Sequence, residues 1–202
     1  MKRLVTILTT LALLTGACGD DDGGTVRLMT HDSFAISDDV RAAFTEETGY
    51  ELEILPSGDA GSMVNQAILT AGNPIADVLF GVDTTFLSRA LDADLFVPYR
   101  SSELDAVRPG LAAGDLVTPI DFGDVCINYD RSAFGDDPPT SLIDLTDSRY
   151  AGMLVVQDPA TSSPGLAFLL GTIATLGDGG WQQLWQGLAA NDVEVAAGWE
   201  DA

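Results

Sequence analysis

The sequence predicts an α/β fold in which mostly parallel strands are flanked by helices. Short runs rich in β-branched and aliphatic residues alternate with longer amphipathic segments, a pattern typical of βα units. Hydrophobic residues make up 46% of the 202-residue chain, which is enough to bury a substantial core. We therefore expect a folded body and no disorder beyond a short acidic segment near the N-terminus.

The first half of the chain contains three predicted strands, each followed by a predicted helix. The strands are expected at residues 26–29, 52–55 and 78–80. The first two helices are expected at 38–47 and 62–71, and Asp83 is expected to cap a third that runs towards residue 90. No internal repeat interrupts this order.

The second half begins with a different pattern, since residues 117–129 contain two strand-like runs separated by Gly123 and Asp124. A short element follows at 144–148. Strands are expected at 153–156 and 193–196, and the helices between them at 164–176 and 181–190.

The turn QDPATSSPGL, residues 157–166, joins an apolar strand to an apolar helix. Ser163 is the predicted N-cap, and Pro164 suits the first helical position, where its missing N–H costs nothing. The free N–H groups of the first turn, with the hydroxyls of Ser162 and Ser163, could hold an anion such as a phosphate. The alternative is a well-capped helix without a ligand.

The N-terminus has the sequence pattern of a secretory signal peptide. Lys2 and Arg3 precede an apolar run at 4–14, which is too short to span a bilayer as an ordinary helix but suits a signal peptide. Small residues before Cys18 resemble a bacterial lipoprotein processing site, so we expect a signal peptide at 1–18 and a lipid on Cys18. Cleavage nearby without a lipid is the alternative. Residues 19–24 form a flexible acidic tether.

The acidic balance excludes some functions. The chain has 31 acidic and 9 basic residues, and removal of residues 1–18 takes away Lys2 and Arg3 only, so the mature net charge is expected to be −24. Such a surface argues against nucleic-acid binding and would concentrate a cationic ligand, although solubility alone also explains it. With Cys18 lipidated, Cys126 has no disulfide partner and is expected to be a small buried residue. A single histidine argues against a metal site.

Polar residues follow the predicted strands, at the edge where parallel sheets bind ligands. Some have simpler explanations: His31 and Asp32 suit a polar turn, and Asp59 and Asp83 suit N-caps. The candidates are His31, Asp32 and Ser33 after the first strand, residues 59–62 after the second, Asp83 after the third, and Ser162 with Ser163 in the second half.

Besides the 157–166 turn, the chain contains an ordered set of motifs: THDSFA (30–35), GDAGSMVNQ (58–66), ADVLFGVD (76–83), PIDFGDVCINYD (119–130) and GWEDA (198–202). Together they resemble the bacterial thiamine-binding proteins, which are extracytoplasmic receptors of thiamine ABC importers with the type II periplasmic-binding-protein fold. The resemblance implies a two-lobe fold, with a first lobe at 25–119 and a second at 120–202. Family members continue further, so the second lobe and the return to the first are expected to be incomplete, and the product to be a poorly stable fragment.

The resemblance also implies a function. It indicates a lipid-anchored, monomeric, non-enzymatic receptor that captures thiamine, thiamine monophosphate or thiamine pyrophosphate and delivers it to an ABC permease, without a cofactor. Asp59 and Trp199 match family contact residues, and Ala60 stands where the family often has glycine. Two positions depart from the family: His31 replaces a common tyrosine, and residues 36–38 lack an aromatic.

Other functions remain open at this point. A receptor of the same fold for ferric iron or a polyamine is the first, although the mature tyrosines at 50, 99, 129 and 150 include no adjacent pair of the kind that ferric sites use. A lipid-anchored hydrolase is the second, with His31 as its only base and Ser62 or Ser163 as nucleophile. No G-x-S-x-G motif supports it. A lipid-anchored interaction protein without a small ligand is the third.

Overall fold

The structure is a computed structural model, and it describes residues 23–111 and 114–202. The predicted signal peptide at 1–18, the lipid site at Cys18 and most of the 19–24 tether lie outside the described residues. Across the described part of the chain, each helix is too short or too polar to cross a bilayer.

A three-stranded parallel sheet forms the first half of the molecule. Its strands are β1 (Thr25–Thr30), β2 (Glu51–Pro56) and β3 (Val78–Phe80), in the order β2-β1-β3. Met29 of β1 lies opposite Leu55 on one side and Leu79 on the other. The prediction of parallel βα units is confirmed here, with each strand within two residues of its expected bounds.

Three helices follow these strands: α1 (Asp38–Thr48), α2 (Ala60–Thr70) and α3 (Leu87–Asp92). Helix α1 begins because the Ser37 side chain accepts from the N–H of Val40, and it ends at Gly49, whose left-handed φ of 75° favours glycine. The core between the sheet and the helices contains Met29, Met63 and Phe86, all almost fully buried. We call this three-stranded sheet with α1–α3 unit A.

A second, two-stranded parallel sheet pairs β4 (Val155–Gln157) with β5 (Glu194–Ala196). Between them run α5 (Ser163–Leu176) and α6 (Gly180–Ala190), close to the predicted ranges. The buried side chains of Leu145, Leu184 and Leu188 form its core. We call this sheet with α5 and α6 unit B.

Short helical turns occupy the connection between the units. They are the 3-10 turns Ser102–Ala106, Asp144–Thr146 and Ser148–Tyr150, and the single-turn helix α4 (Arg131–Phe134). All strands of unit A lie within residues 25–80 and all strands of unit B within 155–196. A boundary near residue 119 stays a prediction.

Two expectations for the connection are wrong. Residues 117–129 form no strand, because none of the described strands runs beside them to supply hydrogen-bond partners. Their apolar side chains are correspondingly open to solvent, with Ile120 71% and Phe122 65% exposed. Cys126 lies in this segment and is exposed rather than buried.

Candidate ligand-binding crevice

The carboxyl ends of four strands meet at one crevice of about 170 Å³ between units A and B. This arrangement follows from parallel pairing, which places every strand-to-helix turn of a sheet at the same edge. The lining residues are Asp32 and Ser33 after β1, Gly58, Asp59 and Ser62 after β2, Thr161 after β4, and residues 197–201 after β5.

Asp59 connects the two walls of the crevice. It is the N-cap of α2, and its Oδ1 accepts from the N–H of Ala60 at 2.7 Å. Its Oδ2 accepts from the backbone N–H of Trp199 in unit B at 3.1 Å. One carboxylate therefore fixes the start of a helix in one unit and the loop after β5 in the other.

Asp32 fixes the loops within unit A. Its Oδ1 accepts from the N–H of Gly58 at 2.8 Å, and its own N–H donates to the carbonyl of Gly58 at 3.0 Å. This reciprocal pair joins the loop after β1 to the loop after β2. The carboxylates of Asp32 and Asp59 are thereby held at the same crevice.

Thr161 lines the opposite wall. Its carbonyl accepts from the N–H of Gly61 in α2 at 2.8 Å, and its hydroxyl donates to the carbonyl of Ala197 at 2.6 Å. The turn after β4 thus contacts both the first turn of α2 and the loop after β5. Thr161 lies in the turn at 157–166 but is not among the site residues predicted from the sequence.

The crevice is acidic. Asp32, Asp59, Glu200 and Asp201 line it, and none of its lining side chains within the described ranges is basic. Several arginines are engaged elsewhere, as in the Arg149–Asp137 pair at 2.6 Å. This charge distribution suits a cationic ligand. The residues predicted for the site do not include Glu200 and Asp201, although both lie in the GWEDA segment, in the loop after β5.

Trp199 stands at the mouth of the crevice with 58% of its surface exposed. Its backbone is held by Asp59, while the indole is free to cover a ring or a cation. The structure therefore brings together Trp199, Asp59, Asp32 and Ser33 of the predicted site residues.

The serines of the 157–166 turn are placed differently from the prediction. Ser162, not Ser163, is the N-cap of α5, and Pro164 takes the second helical position. Ser162 is fully buried, and its hydroxyl donates to Oε1 of Gln157 instead of capping the helix. The Ser163 hydroxyl is buried without a hydrogen-bond partner among the described residues. Neither serine lines the crevice.

The other predicted residues surround the crevice without lining it. His31 packs its ring against Phe80, with centroids 5.9 Å apart. Asp83 accepts from Thr85 and Phe86, so it caps the turn before α3 rather than the helix itself, which begins at Leu87. Ala60 is buried at the start of α2. No cluster of three or more metal-ligating side chains occurs within residues 23–111 and 114–202.

Comparison with known proteins gives the family. Residues 73–200 match the family described as bacterial extracellular solute-binding protein. The chain belongs to this family. Among curated relatives, the thiamine-binding periplasmic protein of Salmonella typhimurium is 34% identical over 179 residues, which are 87% of this chain and 54% of that protein. The Escherichia coli protein of the same name is 35% identical over 180 residues, with the same coverage.

The fold is shared with solved structures. A periplasmic thiamin binding protein superposes with a TM-score of 0.79 at 33% identity, covering 88% of this chain and 57% of that one. Iron-bound HitA from Pseudomonas aeruginosa gives 0.66 at 24% identity, covering 85% and 55%. The type II periplasmic-binding-protein fold predicted from the sequence is confirmed. The chain spans about half the length of the curated relatives it matches.

Proposed function

We propose that this chain captures thiamine or a thiamine phosphate in the crevice between units A and B and passes it to an ABC importer. The observation that carries the proposal is the Asp59 carboxylate, which is shared by both walls of an acidic crevice. The thiamine-binding relatives support the choice of ligand.

Thiamine has chemical groups that match the crevice. Its thiazolium ring carries a permanent positive charge, which the carboxylates of Asp32 and Asp59 can stabilise. The exposed indole of Trp199 can stack on either ring or attract the cation. The hydroxyls of Ser33 and Ser62 line the crevice and can meet the hydroxyethyl arm.

The proposal also includes the predicted site residues that do not line the crevice, and these could contact the ligand only after a rearrangement or through an intermediary. Ser162 would have to release Gln157 before its hydroxyl could reach a phosphate. Ser163, Ala60, His31 and Asp83 would have to act from behind the lining residues, through backbone groups or through water.

We also propose an extracytoplasmic location, with a lipid on Cys18 after removal of residues 1–18. The periplasmic relatives support the location. Metabolic labelling with an azido fatty acid tests the anchor: label is expected on the wild-type protein and not on Cys18→Ala. Label on neither protein would remove the anchor from the proposal while leaving the ligand untouched.

A polyamine receptor is the alternative that a specific observation favours, since four carboxylates around one crevice also suit a polycation. A hydrolase fits less well. Its only base would be His31, which packs on Phe80 and does not line the crevice.

Isothermal titration separates these functions. The purified protein is titrated with thiamine, its mono- and pyrophosphate, spermidine and ferric citrate. Saturable binding of a thiamine compound, with no heat from spermidine or ferric citrate, is expected. Binding of spermidine alone would replace the proposal with the polyamine receptor, and no binding of any thiamine compound would refute it.

A further inference from the structure

Gly198 lies where the loop after β5 approaches Asp59 of unit A at the crevice. The residue is buried, and a Cβ at this position would lie 2.9 Å from Oδ2 and 3.0 Å from Cβ of Asp59. Carbon atoms do not approach this closely without displacement. Its φ lies outside the left-handed region, so alanine would meet no backbone strain. The requirement for glycine here comes from space alone.

Asp59 cannot move aside to admit a larger residue. Its Oδ1 is committed to the N–H of Ala60, and the first turn of α2 is buried, with Ala60 3% and Met63 0% exposed. A shift of the Asp59 Cβ would move this helix start within the core of unit A. A side chain at residue 198 must therefore displace the loop of unit B.

A second contact joins the same two walls. The N–H of Gly61 donates to the carbonyl of Thr161 at 2.8 Å, and Thr161 is in turn bonded to Ala197 beside Gly198. The loop after β5 and the turn after β4 are thus connected, so displacement of one is transmitted to the other.

We infer that Gly198 is a positioning residue that sets the width of the crevice: its missing side chain lets the Trp199 amide reach Asp59 and lets Gly61 reach Thr161. The importance of this width for ligand binding rests on the proposed function. The role of Gly198 in the contacts across the crevice does not depend on that function, and it can be measured in the protein without a ligand.

Amide hydrogen exchange followed by NMR tests the geometry. In Gly198→Ala, the N–H groups of Trp199 and Gly61 are expected to exchange at least about tenfold faster than in the wild type, because both bonds across the crevice open together. Gly171→Ala is the matched control, since Gly171 lies inside α5 with open space around its Cα and the change favours the helix. It is expected to leave both amides protected.

Retained protection of Gly61 in a folded Gly198→Ala protein would overturn the inference, since the effect would then be confined to one loop. The double variant Gly198→Ala/Asp59→Gly removes the obstructing side chain while keeping a tolerated N-cap residue. It is expected to restore protection of Gly61, though not of Trp199, which has lost its acceptor. If Gly198→Ala does not fold, the double variant is expected to fold; failure of both would refute a clash with Asp59 as the cause.

Titration with thiamine then links width to binding. An affinity at least about tenfold weaker for Gly198→Ala than for Gly171→Ala is expected. Equal affinities would show that width does not control the ligand. If the wild type binds no thiamine compound, the proposed function fails, whereas the exchange data still decide the role of Gly198.

Discussion

The Ser162 hydroxyl donates to Oε1 of Gln157, so the helix-cap residue bonds to the last residue of β4. This contact ties the start of α5 to the strand before it and uses the hydroxyl that the sequence suggests for a phosphate.

Ser162→Ala is expected to lower the free energy of unfolding by about 1 kcal/mol, because Gln157 loses its donor. If the hydroxyl stays with Gln157, affinity for thiamine monophosphate changes less than about threefold, a difference below 1 kcal/mol. Chemical denaturation and calorimetric titration measure the two effects. A loss of affinity above tenfold, about 1.4 kcal/mol, would instead show that Ser162 turns to the ligand. Ser163→Ala is the control for stability, because the Ser163 hydroxyl has no hydrogen-bond partner within residues 23–111 and 114–202.

Asp59→Ala is expected to weaken thiamine binding at least about tenfold, since the crevice loses a carboxylate that bridges both walls. Unfolding should also become easier by about 1 kcal/mol because α2 loses its N-cap. Ser37→Ala removes the N-cap of α1, outside the crevice, and is expected to affect stability alone. Equal affinities of the two variants would exclude Asp59 from the binding site.

Met63→Ala is expected to destabilise the protein by about 2–5 kcal/mol, because Met63 is fully buried in the core of unit A. Leu69→Ala lies in the same helix with 85% of its surface exposed and is expected to change stability by less than about 0.5 kcal/mol. Urea denaturation of both variants measures the difference. Similar losses would show that α2 does not pack through the face containing Met63.

The pKa of Asp144 provides a pH dependence. The backbone N–H of Thr140 donates to Oδ2 of Asp144 at 2.8 Å and, with the hydroxyls of Ser141 and Thr140, lowers this pKa from 3.8 to about 2. The resulting stability is present above pH 3.8 and is lost as the pH falls towards 2. Wild type is therefore expected to be more stable than Asp144→Asn at neutral pH, with the difference shrinking across this window.

Urea unfolding at several pH values measures that difference, and an NMR titration of the Asp144 carboxyl gives its midpoint directly. Thr140→Val removes one donor, at 2.9 Å, and is expected to raise the midpoint. A midpoint near 3.8 in the wild type would contradict the prediction.

Local patterns predicted most of the fold. Residues 78–80 and 38–47 are predicted correctly because a short apolar run and an amphipathic segment agree with the strand and the helix that form. The prediction of strands at residues 117–129 is wrong, because an apolar alternating run becomes a strand only beside a partner strand, and strand pairing is not visible in local sequence. The prediction that Cys126 is buried is wrong for the same reason, since the segment that contains it pairs with none of the described strands.

Part of the crevice lining could be predicted from the sequence. Asp59 and Trp199 could be named before the structure, from strand-end position and from resemblance. The bond between Ser162 and Gln157 and the contact of Thr161 with α2 are tertiary contacts, which local sequence patterns do not show. Adjacent serines are equally good N-cap residues, so the pattern alone does not distinguish Ser162 from Ser163.

The placement of the three tryptophans has a practical consequence. Trp181 and Trp185 lie within α6, where the indole N–H of Trp185 donates to Thr172 at 3.1 Å, whereas Trp199 stands at the mouth of the crevice. A ring that covers Trp199 removes its indole from water and alters its fluorescence, while the emission of the α6 pair serves as an internal reference. The chain thus carries its own optical reporter, and occupancy can be followed without a dye or a label.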